Sequence, residues 1–306
     1  MHTAIAEKET RNSGEAVAFG RRFDAIDTGA ALGRIGSLEV RLARDPREVA
    51  AAQEIRFRVF YEELGARQDL AACIGPRDAD RFDAFCDHLL VVDTALPGPD
   101  EKRIVGTYRL LRQETAEMTG GFYSEDEFEL ERLVARHPGL NFLELGRSCV
   151  LPAYRSKRTI EVLWQGIWAY INHYSIGVMT GCASFHGTVP AAHAEALSYL
   201  AQNFRADAPW DVRAVPGRYH TMDLMPPEAI APRSAIASMP PLIKGYLRLG
   251  AYVCEEAVVD RQFGTTDVFL VLPLERLSAR GGWGSAKATV DGDVSCEARI
   301  FFAIAG

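Results

Sequence analysis

The chain has none of the cysteine or histidine spacings that hold zinc. Its six cysteines, Cys73, Cys86, Cys149, Cys182, Cys254 and Cys296, lie far apart without a CxxC pair. Neither a metal site nor a disulfide framework is expected, and most of the thiols read as small buried apolar residues. No GxGxxG or GxxxxGK[ST] follows a strand-like run, which excludes the dinucleotide-binding and P-loop readings. Self-similarity at a period of about 20 to 50 residues is also missing, and with it solenoids and propellers. No apolar run approaches the roughly 20 residues of a membrane-spanning helix. The N-terminal stretch MHTAIAEKETRNSGEAVAFGRR lacks the apolar segment of a secretory signal, so a cytoplasmic protein is expected. Positive charge is in short supply: 34 Lys and Arg against 41 Asp and Glu leave a net charge of -7. That balance argues against nucleic acid as a partner.

What is present is ordinary globular material: 306 residues, 48% hydrophobic and 25% charged, enough for a sizeable core. Residues 1–36 and 279–306 mix charge, Gly and Ala without sustained periodicity and read as flanking segments around a folded domain over 37–278. Within it SLEVRLA reads as a strand, and Pro46 opens a helix over PREVAAAQEIRFRVFYEEL, where Val49, Ala52, Ile55, Val59 and Phe60 recur at helical spacing. HLLVVD and RIVGTYRLLR, separated by TALPGPDEK, read as an antiparallel hairpin. NFLELGRSCVL is a strand that ends in PAYRSKR before an amphipathic helix carrying Ile160, Leu163, Ile167 and Ile171, and VMTGCASF is the next strand. HTMDLM, the short helix PLIKGYLRLG and the strands YVCEEAVVD and DVFLVLPL complete the order. It predicts an α/β (α+β) fold, a largely antiparallel sheet with helices packed on its faces.

Charges inside apolar elements are costly unless paired or used, and they mark the candidate residues. Glu144 and Arg147 interrupt the strand NFLELGRSCVL. Under strict alternation they would face opposite sides, and Gly146 between them suggests a β-bulge that re-aims one of them. A catalytic role and an internal ion pair are both open for this pair. Asp80, Asp83 and Asp87, just before HLLVVD, suit either a substrate ammonium or helix caps and solvated loop charge. Arg56 and Phe60 stand four apart on one helix face, and Arg109 inside GTYRLL needs a partner, for which one of these aspartates is the obvious choice. His88, His173, His186, His193 and His220 have no adjoining nucleophile motif and read as satisfied or surface histidines. Ser148 and Cys149 lack the signature of an oriented base, which sets a covalent mechanism aside.

Six segments carry a family resemblance: RFRVFYEELGA, DRFDAFCDHLLVVD, GTYRLL, LELGRSCVLPAYRSKRTIEVLWQGIWAYI, GCASFHGTVPAAHAEALSYL, and PPLIKGYLRLGA with VVDRQFGTTDVFLV. From about Leu38 to Leu277 the chain resembles the ornithine N-acyltransferases that form lyso-ornithine lipid. That group, once labelled hemolysin-like, has a GNAT-type fold and is similar to acyl-homoserine-lactone synthases. The resemblance implies a mostly antiparallel twisted sheet with a splayed, bulged central strand. It implies amine-substrate and acyl-chain roles for Arg56, Phe60, Asp80, Asp83, Arg109, Glu144 and Arg147. Ala66 stands where the lactone synthases carry a tryptophan, which argues against lactone synthesis. The turn PAYRSKRTI lacks the glycines that hold the coenzyme A pyrophosphate in ordinary GNAT enzymes. Arg155, Lys157 and Arg158 in that turn suit an acyl carrier protein or its phosphopantetheine phosphate, and a solvated basic turn stays open beside that reading.

The chemistry implied is transfer of a 3-hydroxyacyl group from acyl carrier protein to the α-amine of L-ornithine. Glu144 would be the base, strand N–H groups at the bulge the oxyanion site, and Ser148 a weaker candidate for it. Arg147 or Arg109 would hold the substrate carboxylate, and Asp80 or Asp83 its side-chain ammonium. No metal or redox cofactor is called for, and the amphiphilic product suggests contact with the inner membrane face. An acyl-homoserine-lactone synthase, an N-acyltransferase using another amino acid, and a silent GNAT-like module binding carrier protein or lipid are the other readings.

Overall fold

The computed structural model describes residues 25–67 and 75–279. Nine strands form one sheet: β1 (Gly33–Ile35), β2 (Leu38–Leu42), β3 (Asp87–Asp93), β4 (Ile104–Arg112), β5 (Phe142–Val150), β6 (Val178–His186), β7 (Tyr219–Thr221), β8 (Tyr252–Asp260) and β9 (Thr265–Pro273). Their spatial order is β1-β2-β3-β4-β5-β6-β9-β8-β7. All neighbours run antiparallel except β5 and β6. A parallel pair needs a crossover, which a helix between the two strands supplies. Among the described residues eight α-helices accompany the sheet: α1 (Pro46–Phe57), α2 (Gln113–Thr119), α3 (Leu130–Arg136), α4 (Lys157–His173), α5 (Ala194–Asn203), α6 (Pro232–Ser238), α7 (Pro241–Leu249) and α8 (Glu275–Ala279).

Strand alternation sorts the core into two faces. Leu89 and Val91 of β3, Leu143 and Leu145 of β5 and Leu270 of β9 join Val162, Leu163 and Ile167 of the crossover helix α4. On the opposite face, Leu90 and Val92 of β3 pack against Ala52 and Ile55 of α1. Further along that face Phe142, Val178 and Phe269 meet Leu130 and Leu133 of α3. Helix α4 lies close on β2 because Gly166 faces it, where a Cβ would come within 2.7 Å of Val40 Cγ2. Ser156 caps that helix by accepting from the Thr159 N–H at 3.4 Å. Asp45 caps α1, accepting from the N–H groups of Arg47 and Glu48 at 2.8 and 3.1 Å.

The structure departs from the expected segments in two places. The fold starts earlier than residue 37: β1 pairs with β2, and Ile26 is buried with its N–H donating to the Tyr174 hydroxyl at 3.2 Å. The helix read through Leu64 is α-helical only to Phe57. It then widens over Arg58–Glu63, with the Leu64 N–H reaching back to the Val59 carbonyl at 3.1 Å. Residues 1–24, 68–74 and 280–306, which include Cys73, Cys296 and nearly all of the expected C-terminal flank, lie outside the described residues. Cys149 and Cys254 are buried as expected, and Cys86 and Cys182 are half-buried.

Candidate active site

The sheet opens at its centre. Strands β5 and β6 pair only through Phe142 with Val178, Leu143 with Met179 and Glu144 with Thr180. Immediately beyond, Gly181 lies against the Leu145 carbonyl, where a Cβ would come within 2.4 Å of the oxygen. Only glycine fits there, and past it the strands diverge. On the other edge of β5, Thr107 stands opposite Cys149 and Arg109 opposite Gly146, so three steps along β5 match two along β4. That is a β-bulge. The sequence points to Gly146 as its site, but the left-handed residue is Arg147, at φ 51°. This conformation costs a non-glycine residue about 1–2 kcal/mol and needs the surroundings to enforce it.

A cavity of about 250 Å³ occupies the opening. Glu144, Ser184 and Asp267 line it from the sheet face that carries Phe142 and Phe269, whereas Leu145 and Ala183 line it from the α4 face. The cavity therefore passes through the sheet. Its polar end is on one face, and on the other Tyr108, Leu145 and Leu242 form an apolar end. The Tyr108 and Tyr246 hydroxyls, 3.1 Å apart, meet beneath that end. The widened turn after α1 brings Phe60 and Leu64 to the rim, and the Phe60 ring meets Phe263 edge-on at 5.8 Å.

Glu144 is 3% exposed. Its carboxylate accepts the N–H groups of Tyr123 and Ser124 at 2.7 and 2.9 Å and the Ser124 hydroxyl. Burial pushes its pKa up, and these donors together with Arg109 hold it back. Arg147 shares the cavity wall, donating to the Tyr123 hydroxyl at 3.1 Å, to Asp78 at 3.2 Å and to Asp80 at 3.3 Å. Its guanidinium also lies 4.5 Å from the Phe263 ring centroid. Burial works against its charge, but Tyr123, Asp78 and Asp80 more than offset that and keep it cationic. Ser148 lines the cavity next to Tyr108. Burial pushes the Cys149 thiol up to about 12 and Cys182 well above its ordinary value, which removes both as nucleophiles near neutral pH.

Behind Arg147 the other sequence candidates form an ion-pair ladder. Arg56, with no exposed surface, donates to Asp78 at 2.8 Å and to both oxygens of Asp83 at 2.7 and 2.9 Å. Arg109 donates to both oxygens of Asp80 at 2.7 and 2.8 Å. Asp80 and Asp83 also cap each other's turn over Arg81–Ala84. Burial raises Asp83, but Arg56 and Arg109 pull it well below the carboxylate range. Three arginines meet three aspartates, and the ladder is balanced. Asp80 and Asp83, expected as ammonium ligands, and Arg109, expected as a carboxylate clamp, are bonded to one another and do not line the cavity. His88 is a buried core histidine held neutral by burial, with Nε2 3.0 Å from the Asp83 carbonyl.

At the start of α4, Arg155 grips Glu63 at 2.6 and 2.7 Å and the Val150 carbonyl at 3.1 Å, so its charge is largely spent within the chain. Lys157 lies 4.0 Å from Glu161, and Arg158 is exposed. Sequence reasoning missed Glu127, Asp260 and Asp267, which converge at the polar end of the cavity. Asp267 carried a usable signal, a lone charge inside TTDVFLV. Glu127, within the acid-rich SEDEFELE, carried none.

A family model described as an acetyltransferase (GNAT) domain matches residues 55–165. An L-ornithine N(alpha)-acyltransferase of Brucella abortus (strain 2308) is 64% identical over 249 residues, covering 81% of this chain and 89% of its own. The enzyme of the same name from Rhizobium meliloti (strain 1021) is 57% identical over 263 residues, covering 86% and 89%. That of Rhodobacter capsulatus is 42% identical over 244 residues, covering 80% and 93%. Among solved structures, an N-acyl amino acid synthase from uncultured soil microbes aligns with a TM-score of 0.40 at 10% identity, covering 79% of this chain and 93% of that one. At that score the likeness adds nothing about the site. The α/β sheet, its splayed centre and these relatives together assign a GNAT-type acyltransferase: the chain belongs to the L-ornithine N(alpha)-acyltransferase family.

Proposed function

We propose that the enzyme moves a fatty acyl group, of the 3-hydroxyacyl type, from the thioester of acyl carrier protein to the α-amine of L-ornithine, giving lyso-ornithine lipid. The observation that carries this is the passage of one cavity through the sheet, polar on one face and apolar on the other. A tail and an amino acid can enter from opposite faces and meet between β5 and β6. The names of the relatives support ornithine as the acceptor.

An α-ammonium must lose a proton before it attacks. Glu144 takes it, through the carboxylate oxygen that accepts only the Tyr123 N–H or through an intervening water. The freed nitrogen bonds to the thioester carbonyl carbon, and the charge that develops on its oxygen is met by strand N–H groups at the bulge. Collapse breaks the C–S bond, the proton held by Glu144 goes to the departing thiolate, and Glu144, a carboxylate again, takes the second proton from the nitrogen and passes it to solvent, leaving the neutral amide. Arg147 borders the acceptor and offers its positive charge to the substrate carboxylate. Arg158 and Lys157 at the start of α4 are positioned for the acidic carrier. Contact with a membrane face follows from the amphiphilic product, and Leu64, exposed at the cavity rim, is a point of contact.

The test is an assay of purified protein with 3-hydroxyacyl carrier protein, acyl coenzyme A and a panel of amino acids, read by mass spectrometry. N-acylornithine formed from the carrier-bound donor is the expected product. Acylation of S-adenosylmethionine in preference to ornithine, or transfer from coenzyme A alone, would overturn the acceptor or the donor assignment respectively.

A further inference from the structure

The polar end of the cavity holds more negative charge than the chain neutralises. Glu127, Asp260 and Asp267 each bring a carboxylate oxygen within 4.8 Å of the others. Asp267 is 5% exposed, lines the cavity wall, and its Oδ1 has no hydrogen-bond partner among the described residues. Asp260 ends β8, and one of its oxygens accepts the N–H groups of Gln262 and Phe263 at 2.7 and 3.0 Å. Glu127 accepts from Arg218 at 3.0 Å and lies 3.8 Å from the Cys182 thiol. Among the described residues Arg218 makes the ion pair with this cluster, one cation for three carboxylates. The ladder behind Arg147 instead balances three with three. A buried carboxylate oxygen with no donor is costly, and an uncompensated cluster of them calls for a cation.

The geometry points to Glu127, Asp260 and Asp267 as the seat of the side-chain ammonium of the amine substrate. The inference rests on ornithine being the acceptor and names what distinguishes it from an ordinary α-amino acid. An ammonium offers three donors to three converging acceptors. An outer groove of about 520 Å³, lined by Tyr123, Glu127, Arg218 and Asp260, reaches two of these carboxylates and gives the amino acid a way in. From Glu127 the Cys182 thiol and the Ser124 hydroxyl, 3.4 Å apart, lead to Glu144. An acceptor with its second nitrogen on the triad thus extends toward Glu144 with its first. Burial and mutual repulsion raise Glu127 to about 7, against Arg218 and the Cys182 thiol, and Asp267 to about 6, against the Ser184 and Thr265 hydroxyls and Arg147. A bound ammonium reverses that repulsion.

The experiment compares ornithine with 2-aminopentanoate, the same backbone without the terminal amine, in the wild type, Asp267→Asn and Glu127→Gln. Calorimetric binding is measured beside steady-state rates, and melting curves verify the fold. The wild type should favour ornithine in kcat/KM, and each variant should shrink that preference by about tenfold to a hundredfold, mainly through KM. Ornithine and 2-aminopentanoate losing rate alike would overturn the inference, because the triad would then serve the α-amine or the fold. Ornithine acylated with an unmoved KM in both variants would also overturn it while leaving the acyltransfer reading intact. Ornithine bound in a manner lost in Asp267→Asn, yet never acylated, would keep the site and overturn the acyltransfer reading. Saturable Mg2+ binding that depends on Asp267 while ornithine binding does not would reassign the cluster to a metal ion.

Discussion

Glu144 is held so completely that its substitution has two separable effects. Glutamine removes the proton acceptor, and its NH2 group must also face one of the N–H donors from Tyr123 or Ser124. Glu144→Gln is expected to lower the single-turnover rate of acyl transfer by about two to four orders of magnitude and to cost about 1–3 kcal/mol of stability. Single-turnover rates beside melting curves separate the two, and an unchanged single-turnover rate in a folded variant would remove Glu144 as the base. The acid cluster gives a second prediction. Burial raises Glu127 from 4.5 to about 7 and Asp267 from 3.8 to about 6. Raised carboxylates favour the folded state while protonated, so their contribution is full below about pH 4 and is lost as pH climbs toward 7. Arg218, Arg147, Asp260, the Cys182 thiol and the Ser184 and Thr265 hydroxyls face them. The melting temperature should fall between pH 5 and pH 7.5, and ornithine should restore it at the upper end. A flat profile in the unliganded enzyme would contradict the assignment. Glu144, Arg147 and Arg109 were legible in the sequence as charges set in apolar strands. Their division of labour was not, because which arginine meets which aspartate depends on a bulge that falls at Arg147 instead of Gly146.

At the level of elements, the opening between β5 and β6 depends on one close approach. Gly181→Ala would put a methyl 2.4 Å from the Leu145 carbonyl oxygen, well inside contact distance. The two backbones must separate, and the last paired residues, Glu144 and Thr180, are the first to feel it. Loss of acyl transfer is expected together with a lower melting temperature, and retention of full activity would show that the gap tolerates widening. The ladder offers the complementary case. Arg56→Met leaves Asp78 and Asp83 without their buried partner and should cost about 3–5 kcal/mol, read as a shifted denaturation midpoint, whereas Arg56→Lys should fall between. Strand and helix periods announced most of these elements. The short strand β1 gave too little pattern to find, and the widened turn over Arg58–Glu63, where Phe60 and Tyr61 pack against Phe263, has no signature in helical spacing.

For the whole molecule, a net charge of -7 means that docking of the proposed donor, an acidic carrier protein, relies on a local cationic patch. With Arg155 committed to Glu63, that patch is narrower than the sequence PAYRSKR suggests. Arg158→Glu should raise the KM for acyl carrier protein and flatten its salt dependence while leaving the KM for ornithine alone. An equal effect on both substrates would move the docking surface elsewhere.

A hole that crosses a sheet also governs how the product leaves. In the proposed reaction the acylated amino acid made there has its head on one face of the sheet and its tail on the other, like a thread through the eye of a needle. The paired strands close the eye toward Phe142 to Glu144, so the product leaves lengthwise or through the end where β5 and β6 diverge. Extraction, instead of bond formation, is then expected to limit turnover. Rapid-quench kinetics should show a burst of one product per enzyme followed by a slow phase that lipid vesicles accelerate. A linear time course from the first turnover would mean that the eye opens along its length.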